Sequence, residues 1–233
     1  MISRISLLKC REGVSEEAFR DGMMGAVHDV IAAMPELRAG EINFVTDRQQ
    51  RSHLGRGAID IDGFIEMFFD SYGDMVEGVA SLHGEGANDV PMFANPHCPI
   101  LVLTKRTVMK IPAYLQGKKL IQCVSFLGRA DGVSSERFAK EWWNIHDHLV
   151  QTIPGCVGCN QNLVIDRLVQ GKPVHYADLP VEGMVEFWFE DMDAFDECYS
   201  TTGFKLRASV HAAEFIGTVT TYFVQAVPVE LKK

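Results

Sequence analysis

Two stretches 119 residues apart, "GVSEEAF" at 13–19 and "GVSSERF" at 132–138, agree at five of seven positions. At the same offset Pro35 meets Pro154 and "NFVTDR" (43–48) meets "NLVIDR" (162–167). One residue of slip later, "GFIEMFFD" (63–70) meets "GMVEFWFE" (183–190). Matches that stay in order over most of a chain read as a tandem duplication, which restricts the fold to two copies of one supersecondary unit. The halves run near 1–110 and 118–233, and "KIPAYLQGK" between them, with its Pro and Gly, reads as a connector.

Each half shows the same coarse order. A β-rich run (2–9; 120–127) precedes a Ser cap, Ser15 or Ser134, with Glu two residues on, at the start of a long amphipathic helix (15–34; 134–153). A strand (41–47; 157–166), a loop of about fifteen residues and a strong strand (63–70; 183–190) follow, by the period-2 pattern. A second helical region and a last strand (99–108; 216–227) close the unit. The order β-α-β-β-α-β is that of a ferredoxin-like unit, whose antiparallel sheet carries helices on one face only. Phe64, Phe68, Phe187, Trp188 and Phe189 make both faces of the third strand apolar, and an uncovered apolar sheet needs a partner. The expected fold is therefore α+β: two tandem ferredoxin-like units with their sheets packed together around a barrel-like interior.

The 233 residues suffice for two such units. A net charge of −9 argues against nucleic acid or an anionic membrane as partner. No apolar run reaches the length of a membrane span, and the N-terminus lacks a signal-peptide pattern, so a cytoplasmic protein is expected. The six cysteines are then free thiols. Cys156 and Cys159 form a C-x2-C pair with no second pair at metal-like spacing, and two small residues leading into a strand are the simpler reading.

On a 100° wheel with Phe138 at zero, Trp142, Ile145, Leu149 and Ile153 all fall within about 60° and define a buried stripe. His146 falls at about 80°, on the edge of that stripe. Trp143 lies on the flank beside Val150, and Glu141, Asn144 and His148 lie on the polar side. The first half acts as an internal control: Val27 stands where His146 does, and Met23 where Trp142 does. The architecture is thus satisfied by apolar residues, and a buried imidazole that it does not need is a candidate general acid/base. A core histidine bonded to a backbone carbonyl is the structural alternative.

The second half resembles the EthD family of dimeric α+β barrels. The resemblance rests on Phe138, Trp142 and His146 in F-x3-W-x3-H spacing, on Gln161–Asn162 with Val164, and on "EGMVEFWFEDMDAF" (182–195), and it spans most of residues 120–215. The first half keeps "DGFIEMFFDS" (62–71) but lacks the Trp and His, which implies one working site per chain, in the second half. The family usually has a proline two residues after the helix histidine, where this chain has His148. Related barrels include cofactor-free cyclases, decarboxylases, dehydratases, isomerases and monooxygenases acting on aromatic, lactone or polyketide-like compounds. Other related barrels bind haem. Homodimers are the habit of the family.

The resemblance implies His146 as the acid/base residue, a small-molecule substrate and no cofactor, with a haem barrel or a non-catalytic binder as alternatives. Trp142, Trp143 and Trp188 would supply flat apolar walls. Gln161 replaces Ile42 of the first half and is a candidate pocket donor. Tyr176 and His175, in the loop before the strong strand, and His211, in "ASVHAAEF", are further candidates. Glu186 is a possible second acid/base group, although Glu66 holds its place in the first half and favours a structural carboxylate. Asn162 recurs as Asn43 and reads as fold support. "GRADG" (128–132) fits the GxxDG pattern of dye-decolourising peroxidases but reads as a strand-to-helix turn.

Overall fold

The computed structural model describes residues 1–50, 52–81, 98–200 and 208–232. The alternating runs form strands β1 (Ile2–Leu8), β2 (Ala39–Asp47), β3 (Gly63–Phe69) and β4 (Ile100–Met109). In the second half they form β5 (Ile121–Arg129), β6 (Cys156–Val169), the short β7 (Lys172–Pro173), β8 (Gly183–Phe189) and β9 (Ile216–Pro228). The strand orders are β4-β1-β3-β2 and β9-β5-β8-β6. Registers also correspond, with Ile5 opposite Glu66 and Val124 opposite Glu186. Antiparallel pairs β2–β9 and β4–β6 join the two sets edge to edge. The result is a mixed α+β fold built on a closed, antiparallel eight-stranded barrel. This corrects the expectation of two sheets packed one on the other: main-chain hydrogen bonds at both edges, rather than face-to-face packing, join the halves.

Strand alternation sends one set of side chains into the barrel and the other outward. The interior is filled by Ile5, Leu7, Phe64, Val124, Phe126, Met184, Tyr222 and Val224 from both halves. Beside them lies a buried polar group. Lys105 Nζ sits 3.4 Å from Glu66 and 3.0 Å from Glu186. Ser3 donates to Glu66 at 2.6 Å and Asn162 to Glu186 at 2.8 Å. Asn162 stands opposite Lys105, whereas its counterpart Asn43 stands opposite Ala226. Among the described residues neither polar side-chain atom of Asn43 has a hydrogen-bond partner.

The outward faces are covered by helices: α1 (Glu16–Gly22), α2 (His28–Ala32) and α3 (Tyr72–Ala80) in the first half. In the second half they are α4 (Ser135–Glu141), α5 (Asp147–Val150), α6 (Met192–Ser200) and α7 (Ser209–Ala212). Ser15 and Ser134 cap α1 and α4, accepting from the N–H groups of Ala18 and Arg137 at 3.1 Å. The turns before them hold Gly13 and Gly132 at φ of 83° and 75°, a conformation that favours glycine, so "GRADG" is the turn its sequence suggests. No helix of the described residues is long and apolar enough to cross a membrane.

Both long helices widen into one π turn at the same place, Met23–Val27 and Trp142–His146. The buried residues therefore recur every fourth position: Phe19, Met23, Val27, Ile31 and Phe138, Trp142, His146, Val150. The uniform wheel placed Ile145 and Leu149 inside, but Ile145 is 42% exposed. One extra residue in the turn rotates the later stripe, bringing His146 and Val150 inward.

Candidate active site

The second-half helix lies over the outer face of its sheet, and the space between them is the candidate site. Phe138 and Trp142 anchor the helix, their rings 5.3 Å apart. Trp142 lies against Gly183, where any Cβ would collide with the indole. The widened turn leaves carbonyls that the sheet serves. Gln161 Nε2 donates to Trp142 O at 3.2 Å, and Arg106 donates both to Trp143 O and to Gln161 Oε1. Arg106 thus reaches from β4 of the first half to brace the turn that carries His146. Regular helical bonding leaves no such acceptors in mid-helix.

His146 is 7% exposed. Its Nδ1 lies 3.2 Å from Nδ1 of His211, and Nε2 of His211 lies 3.2 Å from a Glu141 carboxylate oxygen. The two imidazole planes are within 23° of each other. One assignment of tautomers satisfies both contacts. The Glu141 carboxylate accepts from His211 Nε2–H, and His211 accepts at Nδ1. His146 then donates through Nδ1–H and carries its lone pair on Nε2. Among the described residues nothing bonds to that nitrogen. Burial, with His211 adding to it, lowers the His146 pKa from 6.5 to about 4, so the ring is neutral at pH 7.

His146 and Trp142 line a cavity of about 550 Å³, with Val150, Val185, Phe187 and Val219 among its apolar walls. The volume suits a small ring compound. Ser125 and Thr221 supply hydroxyls in the same cavity. Ser52, His53 and Leu54, from the β2–β3 loop of the first half, also line it. That loop is fastened to β9, where the Val219 N–H donates to Gly55 O at 2.9 Å. The first half therefore contributes to the lining of the cavity, a point the sequence left open.

Of the candidates read from sequence, the structure brings together His146, Trp142 and His211. It sets the others apart. Glu186 alternates with Phe187 on β8 and points into the barrel, toward Lys105 and Asn162, so it shares no space with His146. Trp188 is on that same inward face and borders an open groove lined in part by Gln116–Ile121. Trp143 stacks under the Arg106 guanidinium at 4.8 Å rather than lining the cavity. Gln161 is spent on the helix carbonyl. Tyr176 accepts the Arg129 N–H at 2.6 Å and lies under the Arg129 guanidinium, in a cluster around buried Glu182. His175 is exposed in its loop, with its N–H on Asp178.

Haem fits the described residues poorly. An iron ligand is available in His146 Nε2, but no Arg or Lys among the described lining residues stands ready for two propionates. Sequence reasoning missed Glu141, which the uniform wheel put in solvent. It also missed Ser125 and Thr221, polar residues at outward positions of otherwise apolar strand faces.

Residues 130–218 match the family model described as EthD domain. No curated protein matches the chain. Among solved structures, an anthrone oxidase-like protein is similar over 99% of this chain and 94% of its own, with TM-score 0.65 and 7% identity. A monooxygenase-like protein of Fusobacterium nucleatum matches over 99% and 94%, with TM-score 0.59 and 11% identity. A monooxygenase-like protein of Lactobacillus acidophilus matches over 99% and 96%, with TM-score 0.55 and 13% identity. At these identities the likeness shows the fold, whole barrel to whole barrel.

Proposed function

We propose, from the premise of an EthD domain at residues 130–218, that this protein is an enzyme moving a proton on a small aromatic, lactone or polyketide-like substrate, with His146 as base and acid. The observation that carries this reading is the chain Glu141–His211–His146, which begins at a carboxylate and ends on a ring nitrogen without a partner among the described residues, in a side chain that lines a mostly apolar cavity. A buried imidazole whose pKa is about 4 is a weak base if the charge must stay on it. The relay removes that difficulty. As Nε2 takes the substrate proton, the Nδ1 proton passes to His211, and the positive charge comes to rest beside Glu141. The reverse shift returns a proton to another atom of the substrate. Lyase, cyclase, decarboxylase and isomerase outcomes differ only in where the released electron pair goes, and none of these steps calls on a cofactor.

In this reading the halves, 1–110 and 118–233, are fused ferredoxin-like units. The second works, and the first closes the barrel, braces the helix through Arg106 and lends the Ser52–Leu54 loop. Both barrel edges pair within one chain, so a homodimer is not needed to complete the site. The test is deuterium uptake from D2O into a panel of aromatic ketones, lactones and diketones, followed by NMR. At least one class should exchange about 100-fold faster with wild type than with His146→Val. Equal rates in two folded proteins across the panel would overturn the reading.

A further inference from the structure

The outward positions of β5 over the cavity are Cys123, Ser125 and Leu127, and those of β9 are Val219, Thr221 and Phe223. Ser125 and Thr221 stand opposite each other in register, with Oγ and Oγ1 2.9 Å apart, and each is 4% exposed. Two hydroxyls bring two donor hydrogens, and one is used in their mutual bond. Neighbouring Cys123 offers Ser125 only a weak sulfur acceptor. Among the described residues, a donor hydrogen is left for whatever fills the cavity. The fold does not ask for this arrangement, because the corresponding pair in the first half is Ser6 opposite Ile100. Thr221 thus puts a hydroxyl where an apolar side chain serves the architecture, and its bond to Ser125 offsets the cost of burying the pair while leaving one donor hydrogen over.

We propose that the Ser125–Thr221 pair binds the carbonyl oxygen of the substrate, which assigns the site to enolisable cyclic ketones and lactones fused to an aromatic ring. The proposal rests on His146 acting as the base. The C–H electron pair beside the carbonyl becomes the new C=C bond as its proton goes to His146 Nε2. The C=O π pair moves to oxygen, where the hydroxyl pair meets the developing charge. Reprotonation at carbon or oxygen releases ketone or enol, and no oxidant or second reactant takes part. The apolar walls hold the ring, and the hydroxyls fix which carbon faces His146.

The probes are 2-tetralone, whose C1 hydrogens lie between ring and carbonyl, and tetralin, the same skeleton without oxygen. Binding is read by calorimetry, and exchange at C1 by NMR in D2O. Wild type should bind 2-tetralone more tightly than tetralin. In Ser125→Ala/Thr221→Val that preference should vanish, tetralin binding should be unchanged, and exchange should slow by about ten-fold or more. A double variant that keeps both the preference and the exchange rate overturns the proposal, as does a wild type that binds neither compound. The two readings fail separately. Exchange lost in His146→Val but untouched in the double variant leaves the base and removes the carbonyl anchor. A ketone preference that depends on the hydroxyl pair, with no exchange in wild type, keeps the anchor and removes the base.

Discussion

Replacing His146 by valine tests whether the imidazole serves chemistry or the core. The perturbation is mild in shape, since the first half carries Val27, 3% exposed, at the same place in the same π turn. At neutral pH the variant loses one neutral hydrogen bond, to His211, worth about 1 kcal/mol. It also sheds the cost of keeping a polar ring out of water, which is of similar size. The net change should be within about 1 kcal/mol. Acid separates the proteins. Folded His146 stays neutral down to a pKa of about 4, while the unfolded chain takes the proton near 6.5. Between those values the unfolded state binds more protons, so wild type loses stability as pH falls through this window. The 2.5-unit difference is worth up to about 3 kcal/mol, of which about 2.4 kcal/mol is lost between pH 7 and pH 4.5. The variant has no such titration, and groups common to both proteins cancel. Urea denaturation at the two pH values should therefore show the variant gaining on wild type by roughly 2 kcal/mol in acid. Parallel pH profiles would refute the burial argument. A loss above about 2 kcal/mol at neutral pH would make His146 a structural core residue.

Four further outcomes follow from the same geometry. Glu141→Gln keeps the size of the side chain but removes the charge facing His211, so exchange should slow by about ten-fold or more with ligand affinity unchanged. Lys105→Met leaves Glu66 and Glu186 buried without their cation and should cost about 3–5 kcal/mol in urea denaturation near neutral pH. Burial and Glu186 already push the Glu66 pKa up to about 8, so the folded state holds a proton that the unfolded state releases, and stability should fall as pH rises from about 4.5 to 8. Haemin titration should give the spectrum of free haemin, with or without His146, whereas a Soret shift dependent on His146 would favour a haem barrel.

Much of the frame was legible because a duplicated pattern reports itself twice. The strand runs and the Ser15 and Ser134 caps follow from period, capping chemistry and the 119-residue offset. The π turn escaped the uniform wheel, although its mark was present: Phe138, Trp142, His146 and Val150 repeat at steps of four, as do Phe19, Met23, Val27 and Ile31. Three steps of four overrun an α-helical stripe, and the same overrun in both halves points to a wider turn rather than to chance. Glu141 precedes the widened turn and stays partly exposed, and it is His211 on α7 that reaches it. Glu186 is the structural carboxylate that its recurrence as Glu66 favoured, whereas Trp188 was misplaced for a different reason. β8 is apolar on both faces, so the pattern could not say which face meets the helix and which the barrel. Tyr176 and Gln161 are polar residues used to satisfy backbone and buried charge, a role that residue type alone does not separate from ligand binding.

The same correspondence decides what the second half can do alone. In the full chain β9 pairs with β2, and β6 with β4. By register β2 is the counterpart of β6, and β4 of β9. Two copies of residues 118–233 can therefore close a barrel by pairing β6 of each with β9 of the other, an isologous dimer. A monomer would leave two edges open and Phe126, Met184 and Tyr222 in water. The dimer has a defect that the full chain lacks. Lys105 stands opposite Asn162, and Ala226 opposite Asn43, so Ala226 is the counterpart of Lys105. The dimer thus buries two Glu186 carboxylates with no lysine between them. Like charges in one dry site cannot both ionise cheaply, so at least one must hold a proton, and the dimer should weaken as pH rises. Sedimentation of the isolated half should show dimers at about pH 5 that dissociate and unfold toward about pH 8. Ala226→Lys should restore the dimer at the higher pH. A folded monomer, or a dimer indifferent to both pH and the lysine, would refute the account of why only the first half carries that cation.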